Sequence, residues 1–274
     1  MSQAKDALTI LIGRAAELAL PGLSREIDEN RNTGRAARLK RAILRARLAR
    51  AHSKGDTASI EDTLAAFWKG NAGDRFHEHH SELRFQLFLD QHAGAIDALA
   101  DVLQGAGADF HRLVEIGCGD GAVLDYCVER LPQIREAVGL DVNAEVIART
   151  NAARPSDDRC AFFNAEAGDW LAANPRPGTV MLSNGGVLEY FSQESFDGLL
   201  RTLAAAAPAA MVLIEPVAAH HDLDRQPQSF VFGEENSFSH NHRRRLSEAG
   251  FRIAFEREVT TPGIRWMLMV GLHD

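Results

Sequence analysis

The chain has 274 residues, of which 45% are hydrophobic and 25% charged, and its formal net charge at pH 7 is −8. These values are typical of a soluble globular protein with one large domain, or with one large domain and an appendage. The negative charge gives no general attraction for nucleic acid, and no apolar run approaches the roughly 18 residues of a membrane span. Residues 1–6 do not begin a signal peptide pattern.

The cysteines indicate a reducing compartment. Cys118, Cys127 and Cys160 are odd in number and occupy core-like positions in the sequence. Reduced thiols, and therefore a cytoplasmic protein, are the expectation. No spacing of cysteine and histidine suggests a structural zinc site, so we predict no metal.

The N-terminal region is helical in pattern. Pro21-Gly22 is expected to end the first helix, and 70–73 reads as a linker. Residues 31–54 contain nine Lys or Arg and no acid. This basic stretch could bind an acidic partner, nucleic acid or a membrane surface, but a face that pairs with the protein's own acids or is simply solvated is favoured at this net charge. The periodicity predicts helices over residues 4–20, 35–50 and 59–68.

From residue 75 the pattern changes to a second domain. We predict an N-terminal helical region at 1–74 and a catalytic domain at 75–274, with strands and helices that alternate from residue 112. Strands are predicted at 112–116, 136–141, 159–164, 179–184, 210–215, 251–260 and 264–272, and helices near 122–131, 144–152, 193–206 and 241–249. Alternating strands and helices predict an α/β fold with a doubly wound, mostly parallel sheet. The last two strands, joined by Thr261-Pro262-Gly263, predict a C-terminal hairpin.

One glycine-rich stretch, LVEIGCGDGAVL at 113–124, organises this domain. Apolar β-forming residues lead into Gly117, Gly119 and Gly121, and a helical pattern follows. Glycine permits φ > 0 and lets a ligand approach the backbone, and free N–H groups at a helix start face that ligand. Asp141, about twenty residues further on, ends the next predicted strand, where a carboxylate can accept from both hydroxyls of a ribose.

These two motifs resemble those of the class I S-adenosylmethionine (SAM)-dependent methyltransferases. The dinucleotide pattern G-x-G-x-x-G would need a glycine at Ala122, whereas the methyltransferase pattern has its third glycine at Gly121 and an acid at Glu115. The resemblance implies SAM as cofactor and a seven-stranded Rossmann-like sheet that ends in an antiparallel hairpin.

The resemblance also implies roles for residues that follow each strand. Glu115 would help to fix the turn and the methionine ammonium, and Asp141 would hold the ribose. Glu166 would accept from the adenine amino group, with Asp169 as the alternative, and Trp170 is either an adenine contact or a core residue. The implied cofactor-binding residues are Glu115, Gly117, Cys118, Gly119, Gly121, Asp141, Val142, Ala165, Glu166, Ala167, Ser183 and Asn184.

The acceptor site is expected after the fourth and fifth strands. Gly185-Gly186 would clear space, and a loop of about twenty mostly polar residues after the fifth strand is long enough to be functional. Histidine takes a proton most readily near pH 7, so the loop histidines are candidates for a base. The candidate catalytic residues are His220, His221, His240, Glu189 and Tyr190.

The sequence therefore predicts a SAM-dependent methyltransferase that acts on a small molecule. The loop histidines favour a hydroxyl acceptor of sugar or natural-product type, because such an acceptor needs proton removal. The alternatives are N-methylation of a small molecule or peptide, another use of SAM, and a non-catalytic SAM-binding protein. Ser183-Asn184-Gly185-Gly186 differs from the Asn/Asp-Pro-Pro-Tyr of nucleic-acid amino-methyltransferases. Nucleic acid is not favoured as a partner, and a homodimer is compatible with the sequence.

Overall fold

The structure is a computed structural model that describes residues 3–29, 34, 36–154, 159–233, 235–261 and 264–274. The backbone divides into two compact units, Met1–Glu78 and His79–Asp274. The border falls inside one helix, so the functional assignment of 1–74 and 75–274 as domains stays a prediction.

The first unit is helical. The residues Ile27, Ile43 and Leu44 form its small core with Ala16. Its helices are α1 (Gln3–Ala19), α2 (Pro21–Asp28), α3 (Ala37–Lys54), α4 (Thr57–Lys69) and the first part of α5 (Asn71–Leu87). Among the described residues no single helix is long and apolar enough to cross a membrane, although Ala7–Ala19 and Pro21–Asp28, bent by 100°, meet that length and composition as a pair.

The first helix ends as predicted, at Ala19 just before Pro21-Gly22. The sequence analysis did not predict the second helix, α2, which begins at Pro21 because a proline at the first helical position has no N–H that would need a partner. One boundary prediction in this unit is wrong. The predicted linker at 70–73 is helical from Asn71, where α5 begins.

The basic helix α3 is paired in part with acids of its own unit. Arg47 bonds both Glu17 and Asp28, at 2.8 and 2.6 Å, and Arg50 bonds Glu17 at 2.6 Å. Lys40 pairs with Glu26 at 2.5 Å. This is the pairing expected for a basic stretch in an acidic protein, although residues 31–33 and 35 of the stretch lie outside the described residues.

The second unit begins with the end of α5, which continues into a π-helical turn at Phe88–His92 and then α6 (Gly94–Gly105). Strands and helices then alternate as predicted, with a short helix after the third strand that the sequence analysis did not predict. They are β1 (Arg112–Ile116), α7 (Ala122–Arg130), β2 (Glu136–Asp141), α8 (Ala144–Ala153), β3 (Cys160–Asn164), α9 (Ala167–Ala173), β4 (Thr179–Asn184), a 3₁₀ turn (Leu188–Tyr190), α10 (Gln193–Ala204) and β5 (Ala209–Val217).

The C-terminal elements complete the sheet. They are β6 (Phe230–Phe232), β7 (Ser237–Ser239), α11 (His242–Glu248), β8 (Arg252–Thr261) and β9 (Ile264–His273). The seven-stranded sheet has the order β3-β2-β1-β4-β5-β9-β8, in which β9 is antiparallel to both of its neighbours. The predicted doubly wound sheet with a C-terminal hairpin is confirmed. Pro262 and Gly263 of the predicted turn lie outside the described residues.

Both faces of the sheet are covered, because parallel strands joined by helices carry apolar residues on both sides. One face packs against α6 and α7 around Leu113, Leu182 and Leu268. The other packs against α10 and α11 around Val114, Met181 and Met269. Side chains at the carboxyl ends of β1, β2, β4 and β5 therefore meet along one edge, where ligands bind in folds of this kind.

The long loop predicted after β5 contains two short strands. Strands β6 and β7 form a separate antiparallel hairpin within it, with Phe230 opposite Ser239 and Phe232 opposite Ser237. This hairpin brings the loop over the carboxyl ends of β4 and β5, where Ser237 and Ser239 bond residues of the main sheet region.

Candidate functional site

The glycine turn after β1 has the predicted backbone. Gly117, Gly119 and Gly121 have φ values of 68°, 53° and 77°, a region that side-chain-bearing residues rarely adopt. A Cβ on Gly117 would lie 2.5 Å from the side chain of Val187, and one on Gly121 would lie 2.5 Å from the ring of Phe162. The turn therefore requires glycine for conformation and for packing.

Asp141 holds this turn against the end of β2. One carboxylate oxygen accepts from the backbone N–H of Gly119 at 3.1 Å, and the other accepts from that of Asn143 at 2.9 Å. Asn143 caps α8 by accepting from the N–H groups of Glu145 and Val146. Asp141 is 5% exposed, and each oxygen of its carboxylate can accept more than one hydrogen bond. Asp141 can thus shape the turn and still receive hydroxyl donors.

Glu115 is buried beneath the same turn. Burial raises the pKa of its carboxyl well above the ordinary value, and the charges of Asp120, Asp125 and Asp141 raise it further. Among the described residues no donor bonds its Oε2 atom. A buried acceptor without a donor is costly, so a ligand group that donates a hydrogen bond or carries positive charge would be stabilised here.

Asp120 and Cys118 bond neighbouring parts of the protein. Asp120 accepts from the N–H of Ala122 at 3.1 Å, which starts α7, and its carbonyl accepts from Arg154. Burial raises the pKa of the Cys118 thiol, which disfavours its reactive thiolate form. Cys118 contributes its backbone to the turn, where its N–H bonds the carbonyl of Leu140 at 3.0 Å.

The end of β3 lies beside Asp141. Asn164 and Ala165 both donate to the carbonyl of Asp141, at 3.0 and 3.1 Å. Glu166 follows as the residue before α9 and is half-buried, while Asp169 in the first turn of that helix is exposed. The predicted residues Val142, Ala165, Glu166 and Ala167 are thus brought to the same edge as the glycine turn.

The side chain of Trp170 is neither fully exposed nor fully buried. The guanidinium of Arg112 lies 4.7 Å from the centre of its ring, and Phe163 packs against it at 6.2 Å. The question of adenine contact stays a prediction, as does the choice between Glu166 and Asp169.

The end of β4 carries two unusual polar residues. The hydroxyl of Ser183 donates to Glu215 at 2.6 Å. The side-chain oxygen of Asn184 is buried and has no hydrogen-bond donor among the described residues. Gly185 and Gly186 follow, each with φ of 84°, and the space that side chains would fill there is taken by Arg84 and Glu189.

Glu215 of β5 is a site residue that the sequence analysis missed. It accepts from Ser183 and from the N–H groups of Val187 and Leu188, at 3.3 and 3.1 Å. Burial raises its pKa to about 8, although these hydrogen bonds oppose that change. The sequence contained a signal, since Glu215 is the one charged residue in an otherwise apolar strand. Glu215 anchors the 3₁₀ turn that carries Glu189 and Tyr190.

Glu189 extends from this turn toward Gly186. A Cβ on Gly186 would lie 2.5 Å from Glu189 Oε1, and Ser237 of β7 donates to Glu189 Oε2 at 2.8 Å. Burial raises the pKa of Glu189 to about 7, the charge of Glu235 adds to the rise, and Ser237 and Arg84 oppose it. A carboxyl that titrates near neutral pH can accept a proton from a bound group.

Tyr190 lies beside this carboxyl. Its hydroxyl donates to Glu235 at 3.1 Å. Burial raises the pKa of Tyr190, and the charges of Glu189 and Glu235 raise it further, so the phenol stays protonated.

The loop histidines have different surroundings. His221 is bonded to Ser239 at 2.8 Å and to the carbonyl of Gln226 at 3.1 Å, and burial lowers its pKa. His240 is bonded to Ser229 at 2.7 Å and to the carbonyl of Leu188 at 2.9 Å, and burial lowers its pKa to about 4. His220 is exposed and packs on Phe230. Both ring nitrogens of His221 and His240 therefore have protein partners, and a histidine base stays a prediction.

Arg84 near the end of α5 is the second residue that the sequence analysis missed. Its Nη2 donates to the carbonyl of Gly185 at 2.6 Å. It is one of many charged residues on α5, so nothing in the sequence distinguished it. Among the described residues no group of three or more His, Cys, Asp or Glu side chains is arranged to hold a metal ion.

Comparison with known proteins shows which solved structures share this fold. No family model matches the sequence, and no curated protein matches it. Among solved structures, the chain is similar to magnesium protoporphyrin IX methyltransferase (ChlM) from Synechocystis PCC 6803. With SAM bound, the TM-score is 0.53 at 13% identity, over 78% of this chain and 97% of that chain. With SAH bound, the TM-score is 0.52 at 13% identity, over 78% and 100%. The chain has the Rossmann-like fold of the class I methyltransferases.

Proposed function

We propose that this chain is a SAM-dependent methyltransferase that transfers a methyl group to a hydroxyl oxygen of a small molecule. The observation that carries the proposal is the Asp141 carboxylate, which bonds the N–H groups of Gly119 and Asn143 at the edge of the glycine turn. The ChlM structures, solved with SAM and SAH, share the fold in which this edge lies.

The residues at this edge fit SAM chemically. Asp141 would accept from the ribose hydroxyls, and the buried Oε2 of Glu115 would receive the positive end of the methionine part. The three glycines, with positive φ, keep side chains off the turn, which would let a ligand approach its backbone. When bound, SAM supplies a methyl group activated on a positively charged sulfonium.

Glu189 supplies the proton acceptor in this proposal, in preference to the histidines. Its Oε1 lies over Gly186, at the end of β4, and its pKa of about 7 leaves it partly ionised near neutral pH. Glu189 would accept the proton of the acceptor hydroxyl, whose oxygen would take the methyl group that bound SAM supplies, and SAM would leave as S-adenosylhomocysteine. Ser237 and the Glu215-anchored turn hold Glu189 in position for that step.

Calorimetric titration with SAM, SAH and NAD tests the cofactor assignment. We expect SAM and SAH to bind and NAD not to bind. The Asp141→Ala variant should weaken SAM binding by roughly tenfold or more, because a charge-assisted hydrogen bond contributes about 1.5–3 kcal/mol. Replacement of the exposed Asp101 of α6 by alanine is the matched control. Unchanged SAM affinity in folded Asp141→Ala would contradict the assignment.

Transfer itself is tested with labelled SAM and fractionated cell extracts, with the mass of the product as the readout. A product that gains one methyl group on oxygen supports the proposal. Methylation on nitrogen would support the N-methyltransferase alternative. SAM binding without any methylated product would favour a binding protein.

A further inference from the structure

The continuous helix formed by α5 and the π-helical turn directs one face at the acceptor edge of the sheet. Phe88 in this helix is 1% exposed and packs in the core, with its ring centre 5.3 Å from that of Tyr126. Phe85 stacks on Phe88 at 6.1 Å. Arg84 lies four residues before Phe88 and therefore shares its face of the helix. The core contacts of Phe88 fix the direction in which Arg84 extends.

Arg84 reaches the glycines that follow β4. Its Nη2 donates to the carbonyl of Gly185 at 2.6 Å. A Cβ on Gly185 would overlap the same guanidinium nitrogen, so the group occupies the space that a side chain would fill. Residue 185 thus has to be glycine for two reasons, its φ of 84° and the approach of Arg84.

The guanidinium also belongs electrostatically to the acceptor site. Its charge lowers the pKa of Glu189 and of Tyr190, against the effects of burial and of neighbouring acids. Arg84 and Glu189 therefore approach the glycine pair Gly185-Gly186 from two sides, one as a cation and the other as a titratable carboxyl. An acceptor that enters between them meets both groups.

We infer that Arg84 is the specificity-determining residue of the acceptor site and that it selects acceptors that carry a carboxylate in addition to the reacting hydroxyl. The inference rests on the proposed function, because it names the class of acceptor for the same site. A planar guanidinium presents paired N–H groups whose geometry matches a carboxylate. A phosphate has the same fit but a larger negative charge, which the acids Glu189 and Glu235 would repel more strongly.

The test uses matched probes on the full chain saturated with SAH. The probes are para-hydroxybenzoate and para-hydroxyphenylpropanoate, each compared with its primary amide and with para-hydroxyphenyl phosphate. Dissociation constants are measured by ligand-observed NMR titration at neutral pH. We expect each acid to bind the wild type roughly tenfold or more tightly than its amide, since the charged pair is lost in the amide.

Three variants make the test specific to Arg84. In Arg84→Gln the preference for acid over amide should fall to about one, while Arg84→Lys should keep part of it, because lysine keeps the charge without the planar fork. Arg130→Gln removes an exposed arginine that pairs with Asp97, and it should leave the preference unchanged. A merely structural role of Arg84 would lower the affinity for acid and amide alike.

Several outcomes would overturn the inference: equal binding of acid and amide, an unchanged preference in Arg84→Gln, tighter binding of the phosphate, or no binding of any probe. The titration with SAH is read first. If SAH does not bind, the proposed function fails, whereas SAH binding without a preference for acids refutes only the role of Arg84.

Discussion

The proposed site has two halves, one for the cofactor and one for the acceptor, and they are built differently. The cofactor half comprises the glycine turn at 117–121 and the ends of β2 and β3, and its defining bond joins residues 22 positions apart. The acceptor half comprises Gly185-Gly186, the 3₁₀ turn, Glu215, the β6–β7 hairpin and Arg84. Its bonds join residues 48 and 101 positions apart. The first half is therefore a property of neighbouring βα units, and the second is a property of the whole second unit.

The two halves also differ in the chemical groups that form them. In the cofactor half the backbone supplies most donors and the side chains are short, so its geometry follows from turn conformations. In the acceptor half, the carboxyl groups of Glu189 and Glu215 are buried and have raised pKa values. Glu215 also bonds the turn that carries Glu189. We expect substitutions in the first half to change binding and those in the second to change rate.

The largest effect on methyl transfer is expected from Gly119→Val. Residue 119 has φ of 53°, which a β-branched residue adopts only with strain, and its N–H bonds Asp141. We expect that SAM no longer raises the melting temperature and that no transfer is measurable. The control Gly198→Ala lies in α10, where an added Cβ meets only Arg201 at 3.8 Å. Stabilisation of Gly119→Val equal to that of the wild type would remove the turn from the site.

The next largest effect is expected from Glu189→Gln. Loss of a positioned proton acceptor lowers the rate by roughly 10²–10⁴-fold, and SAM affinity should stay unchanged because Glu189 belongs to the acceptor half. Glu194→Gln, an exposed acid in the first turn of α10, is the control. Single-turnover rates and calorimetry together separate the two halves.

The pH profile sharpens this prediction. Glu189 has its pKa raised to about 7, and only the ionised carboxylate accepts a proton, so the rate should rise with pH up to about 7 and level off above it. The rise should be absent in Glu189→Gln. A rate of Glu189→Gln close to that of the wild type would assign proton removal elsewhere.

A smaller effect is expected from Glu215→Ala. This change leaves the hydroxyl of Ser183 and the N–H groups of Val187 and Leu188 without their acceptor. The free energy of unfolding should fall by about 1–3 kcal/mol, and the rate should fall about tenfold as Glu189 is misplaced. Urea unfolding and turnover measure the two quantities, and unchanged stability would show that the turn is held by other contacts.

The smallest effect on rate is expected from His240→Asn. Burial keeps the folded pKa of His240 at about 4, below the ordinary 6.5. Between these two pH values the folded state thus binds fewer protons than the unfolded state. The contribution of His240 to the free energy of unfolding is therefore fully present above pH 6.5, and about 3 kcal/mol is lost as pH falls toward 4.

Urea unfolding across that pH range should show a weaker acid destabilisation in His240→Asn than in the wild type. We expect the rate at neutral pH to change by less than about tenfold, because a positioned base contributes more than that. A loss as large as that of Glu189→Gln would instead support a histidine base.

The pattern of the sequence determined the sheet and its order of elements. The alternation of apolar strands with helical segments and the Thr-Pro-Gly turn predicted a sheet with a C-terminal hairpin, which is confirmed. Burial on both faces makes such strands continuously apolar, which is a strong local signal. Helix starts were less determined, and Pro21 is the example, since proline either follows a helix or begins one.

The sequence by itself also determined the local geometry of the proposed cofactor half, because glycines with positive φ and an acid at a strand end are local features. Only the tertiary structure decided the acceptor half. Arg84, Glu189, Glu215 and Ser237 come together from α5, the 3₁₀ turn, β5 and β7, and no short-range pattern relates them. The pKa values of Glu189 and Glu215 depend on burial and on neighbouring charges, which a sequence does not contain until the chain is folded.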